Sequence, residues 1–281
     1  MSRHIAVSVA PKVTSSAHLP IYSFAHLPLT HFVYDGSFEG LLTAVFDVYD
    51  RKAAAARLVP AERYQPDAFA AKVDVVTDEA KANRVWKGLH GKLSPGALRN
   101  VFSVYLSERP DREDLLLAFC RMVFATDDKV EENFSSPVVL QIAQVGKQLH
   151  REKHRFEAFV RFVQLADGTY FATIDPDFNV LPLITPHFTD RYADQVWIIY
   201  DTRRRYGMHY DGRTVQEVRF AFLPAASGVR TGEVESPHED LYQQLWQVYY
   251  QSVNIPARRN LKLHRQHVPV RYWKYLTEKK L

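Results

Sequence analysis

The sequence predicts an α+β protein with a mainly helical body, a β-rich antiparallel insert of about five strands and a basic C-terminal helical arm. Two observations indicate this class. Residues 30–155 carry apolar side chains at helical spacing behind capping residues, whereas residues 156–223 alternate short apolar runs with Asp-Gly turns. Because helices and strands are segregated along the chain, the pattern favours α+β over a parallel sheet built from βαβ units.

Composition and length set the first limits on function. The 281 residues are 46% hydrophobic and 13% aromatic, which predicts a sizeable packed core rather than disorder. No apolar run approaches the roughly 20 residues of a spanning helix, and the first 29 residues lack the apolar region of a signal peptide. The single cysteine, Cys120, excludes an internal disulfide, a Cys-based zinc site and a self-contained iron–sulfur cluster. We therefore expect a cytoplasmic protein with no membrane contact and no cofactor of its own.

Shifts in composition divide the chain into four regions, which we expect to pack as one globular unit. Residues 1–29 form an N-terminal extension, and residues 30–155 form the helical region. Residues 156–223 form the antiparallel β-rich region, and residues 224–281 contain a linker, a helix and a basic aromatic arm.

The helical region begins with a short predicted strand at residues 31–34. Asp35 and Gly36 turn the chain, and Ser37 or Asp35 caps the first helix. Further helix starts are predicted after Thr77, where Asp78 and Glu79 suit a first helical turn, at Ser94-Pro95, at Asp111 and at Ser136-Pro137. Roughly five helices then fill residues 37–155, the last of them reaching His154.

The β-rich region is predicted from five apolar segments: FEAFVRFVQL, TYFATI, QVWIIYDT, RYGMHY and TVQEVRFAFL. Asp-Gly pairs at residues 167–168 and 211–212 are strong turn signals between strands. Residues 175–194 are predicted to hold a loop and a short helix, and residues 239–252 a further helix after the linker.

The last 25 residues, 257–281, are strongly basic and aromatic. They contain eight Lys and Arg residues and one acid, a net charge of +7, whereas residues 1–256 have a net charge of −3. Cations neutralise phosphates and aromatic faces stack on unpaired bases, so this tail predicts a nucleic-acid surface. Its alternative is a solvated basic helix end whose aromatic side chains pack on the body. The predicted contacts are Arg258, Arg259, Lys262, Arg265, Arg271 and Lys274 to phosphate, with Tyr272 and Trp273 stacking or packing beside them.

Three consecutive arginines extend the same hypothesis. Arg203, Arg204 and Arg205 follow the apolar strand that ends at Asp201, where a strand edge meets a loop. Alone they are typical of a solvated face, but together with the tail they favour contact with a polyanion.

His150 and His154 are the candidates for a metal site. Four residues apart, they share one face of a helix, as two ligands of a divalent ion require. Arg151, Lys153 and Arg155 stand beside them and repel a cation, so a solvated helix end is favoured and no metal is predicted. His187 is predicted to be a structural hydrogen-bonding residue, and no assembled catalytic motif is found.

Four stretches together resemble one bacterial family: YDGSFEGLLTAVFDVYDR, FVRFVQLADGTYFATIDPDFNVLPLITPHF, WIIYDTRR and NLKLHRQHVPVRYWKYLTE. It is a domain-of-unknown-function family described as DNA-metabolism or DNA-repair proteins, and the resemblance covers about residues 31–278. Its members are encoded beside a radical-SAM DNA-modification protein, and related domains are fused to uracil-DNA-glycosylase-like proteins.

The resemblance implies a DNA metabolism or repair protein that binds nucleic acid, DNA in particular, and acts with a radical-SAM partner. Radical chemistry would then lie with the partner, because this chain has a single cysteine. No catalytic residues are carried over, so a non-catalytic DNA-binding or accessory subunit is favoured. Two alternatives stay open. One is an adaptor that binds only the partner protein, and the other is a metal-dependent enzyme acting on a nucleotide or damaged base through His150, His154 or His187.

Overall fold

The structure, a computed structural model, describes residues 29–126, 128–220 and 261–279, together with residues 243 and 245. The helices in these ranges are α1 (Phe38–Asp50), α2 (Glu79–Lys92), α3 (Pro95–Leu106), α4 (Arg112–Ala125), α5 (Pro137–Phe159), α6 (Leu181–Arg191) and α7 (Leu261–His267). The strands are β1 (Leu29–Tyr34), β2 (Ala56–Pro60), β3 (Ala70–Asp74), β4 (Val163–Gln164), β5 (Tyr170–Ile174), β6 (Trp197–Asp201), β7 (Tyr206–Tyr210) and β8 (Val215–Val218). The predicted α+β class is confirmed.

The helical region contains a sheet that the sequence did not indicate. Strands β2 and β3 lie on either side of β1 and both run parallel to it, with α1 as the crossover between β1 and β2. The expectation that this region holds only one strand and no parallel pairing was therefore wrong. Leu58 and Pro60 are the buried residues of β2, and no residue of β3 is fully buried. Neither segment shows the apolar run that identifies a strand from sequence.

Helix α5 is longer than predicted and connects the two halves of the fold. It continues through the expected boundary at residue 155 to Phe159, and the strand predicted from Phe156 shrinks to β4. Phe156 continues the helix's buried stripe, which explains why the helix does not stop at His154. The apolar residues of that stripe are Val139, Ile142, Val145, Leu149 and Phe156.

The predicted five strands form one sheet with the order β4-β5-β6-β7-β8. Three of its four pairings are antiparallel as predicted, but β5 and β6 are parallel. The chain between them contains α6, which provides the crossover that a parallel pair needs. Gly168 and Gly212 adopt φ values of +87° and +90°, so both Asp-Gly turns are confirmed.

Two clusters of buried side chains form the core. The first joins β1, α1 and α2 to the N-terminal half of α5, and the second joins the C-terminal half of α5 to the five-stranded sheet and α6. Cys120 lies in the first cluster, and burial raises the pKa of its thiol to about 12. Cys120 is therefore a core residue.

Several predictions concern residues outside the described ranges. These are the N-terminal extension up to residue 28, the linker at residues 224–238 and most of the helix expected at residues 239–252. Within the ranges that are described, no helix is both long and apolar enough to cross a bilayer.

The connection between β1 and α1 is tightly packed around Gly40. Ser37 Oγ caps the helix by accepting a hydrogen bond from Gly40 N at 2.9 Å. Asp35 accepts hydrogen bonds from Ser37 N and Oγ and from Thr77 Oγ1. Partial burial raises the pKa of Asp35, but these hydrogen bonds outweigh it and leave the pKa below its ordinary value.

Replacing Gly40 by alanine is expected to lower the free energy of unfolding by about 1–3 kcal/mol. An added Cβ would lie 2.1 Å from Asp35 Oδ1 and 2.9 Å from the hydroxyl oxygens of Ser37 and Thr77. Gly91→Ala in α2 is the matched control, because nothing lies within 4 Å of its added Cβ. The control should gain about 0.5–1 kcal/mol from helix propensity. Urea unfolding followed by circular dichroism measures both, and shifts of the same sign would contradict this packing.

Candidate nucleic-acid interface

Residues 261–279, here called the C-terminal segment, pack on the second core cluster. Tyr272 is 1% exposed, and its ring centroid lies 5.3 Å from that of Phe156 and 5.4 Å from that of Phe159. Leu276 is also buried, and the ring of Tyr275 lies 6.0 Å from Phe156. This position gives Tyr272 a packing role in the folded chain.

Trp273 is half-buried and contacts its own segment. Its indole Nε1 donates a hydrogen bond to Val268 O at 3.0 Å. The ring of His264 lies 6.0 Å away, and Lys279 Nζ lies 5.3 Å from the indole centroid. The indole is thus held by several contacts within the segment, and its contact with a base stays a prediction.

Four carboxylates gather where β5 and β6 end, here called the carboxylate cluster. Asp175 and Asp177 follow β5, Asp201 is the last residue of β6, and Glu152 projects from α5. Because β5 and β6 are parallel, their carboxyl ends open at the same edge of the sheet. Glu152 is buried and accepts hydrogen bonds from the backbone N–H groups of Asp177 at 3.0 Å and Phe178 at 2.9 Å.

Four of the cations predicted to bind phosphate form ion pairs in the folded chain, three of them solely with this cluster. Arg271 Nη2 lies 2.5 Å from Glu152 Oε1, and Arg271 Nη1 also pairs with Asp177. The other pairs are Lys274 with Asp175 at 2.8 Å, Arg203 with Asp177 at 3.2 Å, and Arg204 with Asp201 at 2.9 Å and Glu108 at 2.8 Å. These pairs hold the C-terminal segment and the β6–β7 turn on the body, and their contact with phosphate stays a prediction.

The two best-paired aspartates of the cluster have opposite pKa shifts. Partial burial raises the pKa of Asp177, but Arg271 and then Arg203 outweigh it and lower the pKa below its ordinary value. Because the pKa of Asp177 is lower in the folded chain than in the unfolded chain, its ionised carboxylate stabilises the fold at pH values above the ordinary carboxyl pKa. This contribution is lost as the pH falls through the pKa of the folded state. Asp201 is fully buried, and desolvation raises its pKa against the attraction of Arg204.

The remaining predicted cations fall into two groups. Arg205, Lys262 and Arg265 are exposed, and no carboxylate within the described ranges pairs with any of them. Arg258 and Arg259 lie outside the described residues. Arg205, Lys262 and Arg265 are therefore the predicted cations whose charges no described carboxylate neutralises.

The three candidate histidines lie on helices α5 and α6. His150 and His154 are exposed, and His154 Nδ1 lies 3.7 Å from Glu157 Oε2. His187 is half-buried with its ring edge-on to Phe188 at 5.2 Å. Across the described residues, no group of three or more His, Cys, Asp or Glu side chains is placed to hold a metal ion.

A groove of about 850 Å³ opens beside the C-terminal ends of α5 and α6, here called the basic groove. The residues that matter for its chemistry are Arg161, Phe162, Tyr170, Arg191, Tyr192 and Thr277. Guanidinium groups bind phosphate and aromatic rings stack on bases, so this lining has the composition of a nucleic-acid site.

A second depression of about 470 Å³ continues the basic groove. It shares Arg161, Arg191 and Tyr192 and adds His154 and His187. The acid among its lining residues is Glu157, whose carboxylate is 2.5 Å from Lys153 Nζ. The charged residues shared by the two depressions are therefore Arg161 and Arg191.

The sequence did not reveal the basic groove. Arg161 follows the end of α5, and Arg191 is the last residue of α6. Neither arginine belongs to a run of basic residues, and the fold alone brings them to the same groove. No local pattern marks such a site.

One comparison with known families decides the classification. The model of a domain of unknown function, DUF4130, matches residues 110–278. The chain belongs to this family. The match includes the carboxylate cluster, the basic groove and nearly all of the C-terminal segment, while β1 to α3 precede it. No curated protein matches the chain. Membership in a family of unknown function agrees with the resemblance, and the function has to be argued from the site.

Proposed function

We propose that this protein binds DNA in DNA metabolism or repair and acts together with a radical-SAM protein. The observation that best supports the proposal is that the C-terminal segment reaches the basic groove. Thr277 of the C-terminal segment lines the basic groove, so one segment carries the exposed Lys262 and Arg265 and also reaches the groove of Arg191. A DNA backbone that ran from Lys262 and Arg265 to Arg191 would meet successive cations, as a polyphosphate requires.

The distribution of paired and exposed cations suggests which residues bind. Arg271 and Lys274 hold the C-terminal segment in place through Glu152 and Asp175. Lys262 and Arg265 face solvent and can give up counterions when phosphate binds. We assign phosphate binding chiefly to this exposed pair, together with Arg258 and Arg259.

The partner follows from the resemblance and from the cysteine content. Iron–sulfur clusters need several thiolates, whereas this chain has one cysteine, buried in the core. In the proposed pair, the radical-SAM protein carries out the chemistry while this chain holds the DNA. The chain is then an accessory subunit.

Fluorescence anisotropy with labelled DNA across a salt series tests the proposal. If about four to six phosphates are contacted, log affinity should fall against log salt with a slope of roughly −3 to −5. A variant with glutamate at Arg258, Arg259, Lys262 and Arg265 should flatten this slope by about 3 and weaken binding at least a hundredfold at low salt. Reversal of Lys262 and Arg265 breaks no ion pair within the described ranges, so these two changes should leave the described fold intact. Circular dichroism of the fourfold variant checks that it is folded.

Lys129→Glu provides a control with the same type of charge change. Lys129 is exposed and its partner Glu132 is exposed too, so DNA affinity should change less than threefold. Failure of the wild-type chain to bind DNA at low salt would overturn the proposal. Co-purification with the radical-SAM partner in the absence of DNA would then favour the protein-only adaptor.

A further inference from the structure

The aromatic rings of the basic groove are held in a fixed arrangement. Tyr192 stacks on Phe188 with centroids 6.1 Å apart and ring planes 8° from parallel. Phe162 packs edge-on against Tyr192 at 5.5 Å and against Phe188 at 5.6 Å. Tyr192, Phe162 and Tyr170 are all half-buried, so part of each ring is accessible at the groove. Rings ordered in this way would lose little entropy when they stack on a ligand.

Cations are placed next to these rings. Arg191 is exposed, its guanidinium carbon lies 5.8 Å from the ring centroid of Tyr192, and no carboxylate in the described ranges pairs with it. Arg161 Nη1 donates to Ala158 O at 2.9 Å and Val160 O at 3.1 Å, which orients its guanidinium at the end of α5. A ligand that stacks on Tyr192 would therefore have its negative groups close to fixed positive charge.

One polar side chain of the groove suits the edge of a base. Gln195 lines the groove, and its side-chain amide can both donate and accept hydrogen bonds. The volume of about 850 Å³ lies within the range of about 300–1,000 Å³ typical of small-ligand sites. Space of that size fits a nucleotide rather than a duplex.

We infer that the basic groove binds single-stranded DNA, with an unpaired base against Tyr192 and a neighbouring phosphate on Arg191. In a duplex each base face is covered by its neighbours, so aromatic side chains stack on bases that are unpaired or turned out. This inference rests on the proposed DNA-binding function and specifies the form of DNA that the site takes. It separates two tasks: the exposed cations of the C-terminal segment bind backbone of either form, and the groove selects the unpaired strand.

Anisotropy of the full-length protein with a labelled oligothymidylate of about 20 nucleotides and a duplex of equal length tests the inference. Arg191→Glu is expected to weaken single-strand binding about tenfold or more and duplex binding less than threefold. Tyr192→Leu keeps apolar volume but loses the π face, and should weaken single-strand binding between about fivefold and a hundredfold. Arg213→Glu, an exposed arginine in the β7–β8 turn, is the matched control and should leave single-strand binding within threefold.

A second measurement locates the bound DNA strand on the wild-type protein, without any amino-acid substitution. Photocrosslinking of an oligonucleotide carrying iododeoxyuridine, followed by mass spectrometry, should modify peptides containing Phe162, Tyr170 or Tyr192. Crosslinks confined to other peptides would overturn the inference. Unchanged single-strand binding by both Arg191→Glu and Tyr192→Leu would also overturn the inference. If the protein still bound DNA through Lys262 and Arg265, the proposed function would stand. If wild-type protein binds neither probe, both proposals fail together.

Discussion

Replacing Glu113 by alanine is expected to lower the free energy of unfolding by about 3–5 kcal/mol. Glu113 is 3% exposed, and its Oε1 accepts hydrogen bonds from Tyr34 Oη at 3.1 Å and Arg112 Nε at 2.7 Å. The same oxygen forms an ion pair with Arg63 Nη2 at 2.5 Å. Without the carboxylate, Arg112 stays buried with no counter-charge, which costs far more than the loss of a surface pair. Burial and the charge of Glu113 raise the pKa of Tyr34, so its hydroxyl stays protonated and remains a donor in alkaline solution as well.

The neighbouring residue provides the control for this prediction. The Asp114 side chain is 48% exposed and pairs with Arg57, also exposed, at 3.3 Å. Asp114→Ala should therefore cost less than about 1 kcal/mol. Glu113→Gln keeps an acceptor and the side-chain volume but removes the charge, so its loss should fall between the two. Urea unfolding of the three variants measures these differences, and equal losses at Glu113 and Asp114 would refute the role of the buried cluster.

Replacing Tyr272 by alanine is expected to lower the free energy of unfolding by about 3–5 kcal/mol. The ring fills space between Phe156 and Phe159 and is 1% exposed, so its removal leaves a cavity in the second core cluster. The same change should make the C-terminal segment more susceptible to limited proteolysis, because Tyr272 and Leu276 are its buried anchors.

Two variants separate the ring from the rest of the segment. Tyr272→Phe keeps the ring contacts and should stay within about 1 kcal/mol of the wild type. Val270→Ala changes a residue that is 56% exposed, and should have an effect of about 0.5 kcal/mol or less. Wild-type stability and protease resistance in Tyr272→Ala would show that the segment is not part of the core.

The docked position of the segment determines which variants can test DNA binding. Reversing Arg271 or Lys274 would break ion pairs with Glu152, Asp177 or Asp175 and could reduce binding through loss of structure alone. Lys262, Arg265 and Arg191 avoid that ambiguity, because no ion pair in the described part of the chain involves them.

Local signals in the sequence predicted the starts of several helices. Ser37 and Ser94 each accept a hydrogen bond from a backbone N–H group three residues ahead, as predicted of N-caps. The cap of α2 is Asp78, which the sequence had placed in the first helical turn. Ser136 occupies the predicted cap position of α5, but its side chain makes no capping hydrogen bond and lies 3.7 Å from Met122 Sδ. Ser136 therefore marked the start of α5 in the sequence, although its hydroxyl contacts Met122 and does not cap the helix.

Strand pairing was harder to predict, because it depends on partners distant in sequence. Residues of β1 pair with residues of β2 and β3 that lie beyond α1, and no alternating pattern in β2 or β3 indicates this. The parallel pairing of β5 with β6 depended likewise on where α6 crosses the sheet.

The sequence by itself determined the α+β class, the turns at Gly168 and Gly212, and the basic aromatic character of the tail, because composition and contacts a few residues apart decide these features. The tertiary structure alone decided which cations are neutralised. Arg271 pairs with Glu152 from 119 residues away and Lys274 with Asp175 from 99 residues away, while Arg191 comes to line a groove of aromatic rings. Coulombic attraction depends on distance in space, and a list of charges in sequence order does not contain that distance.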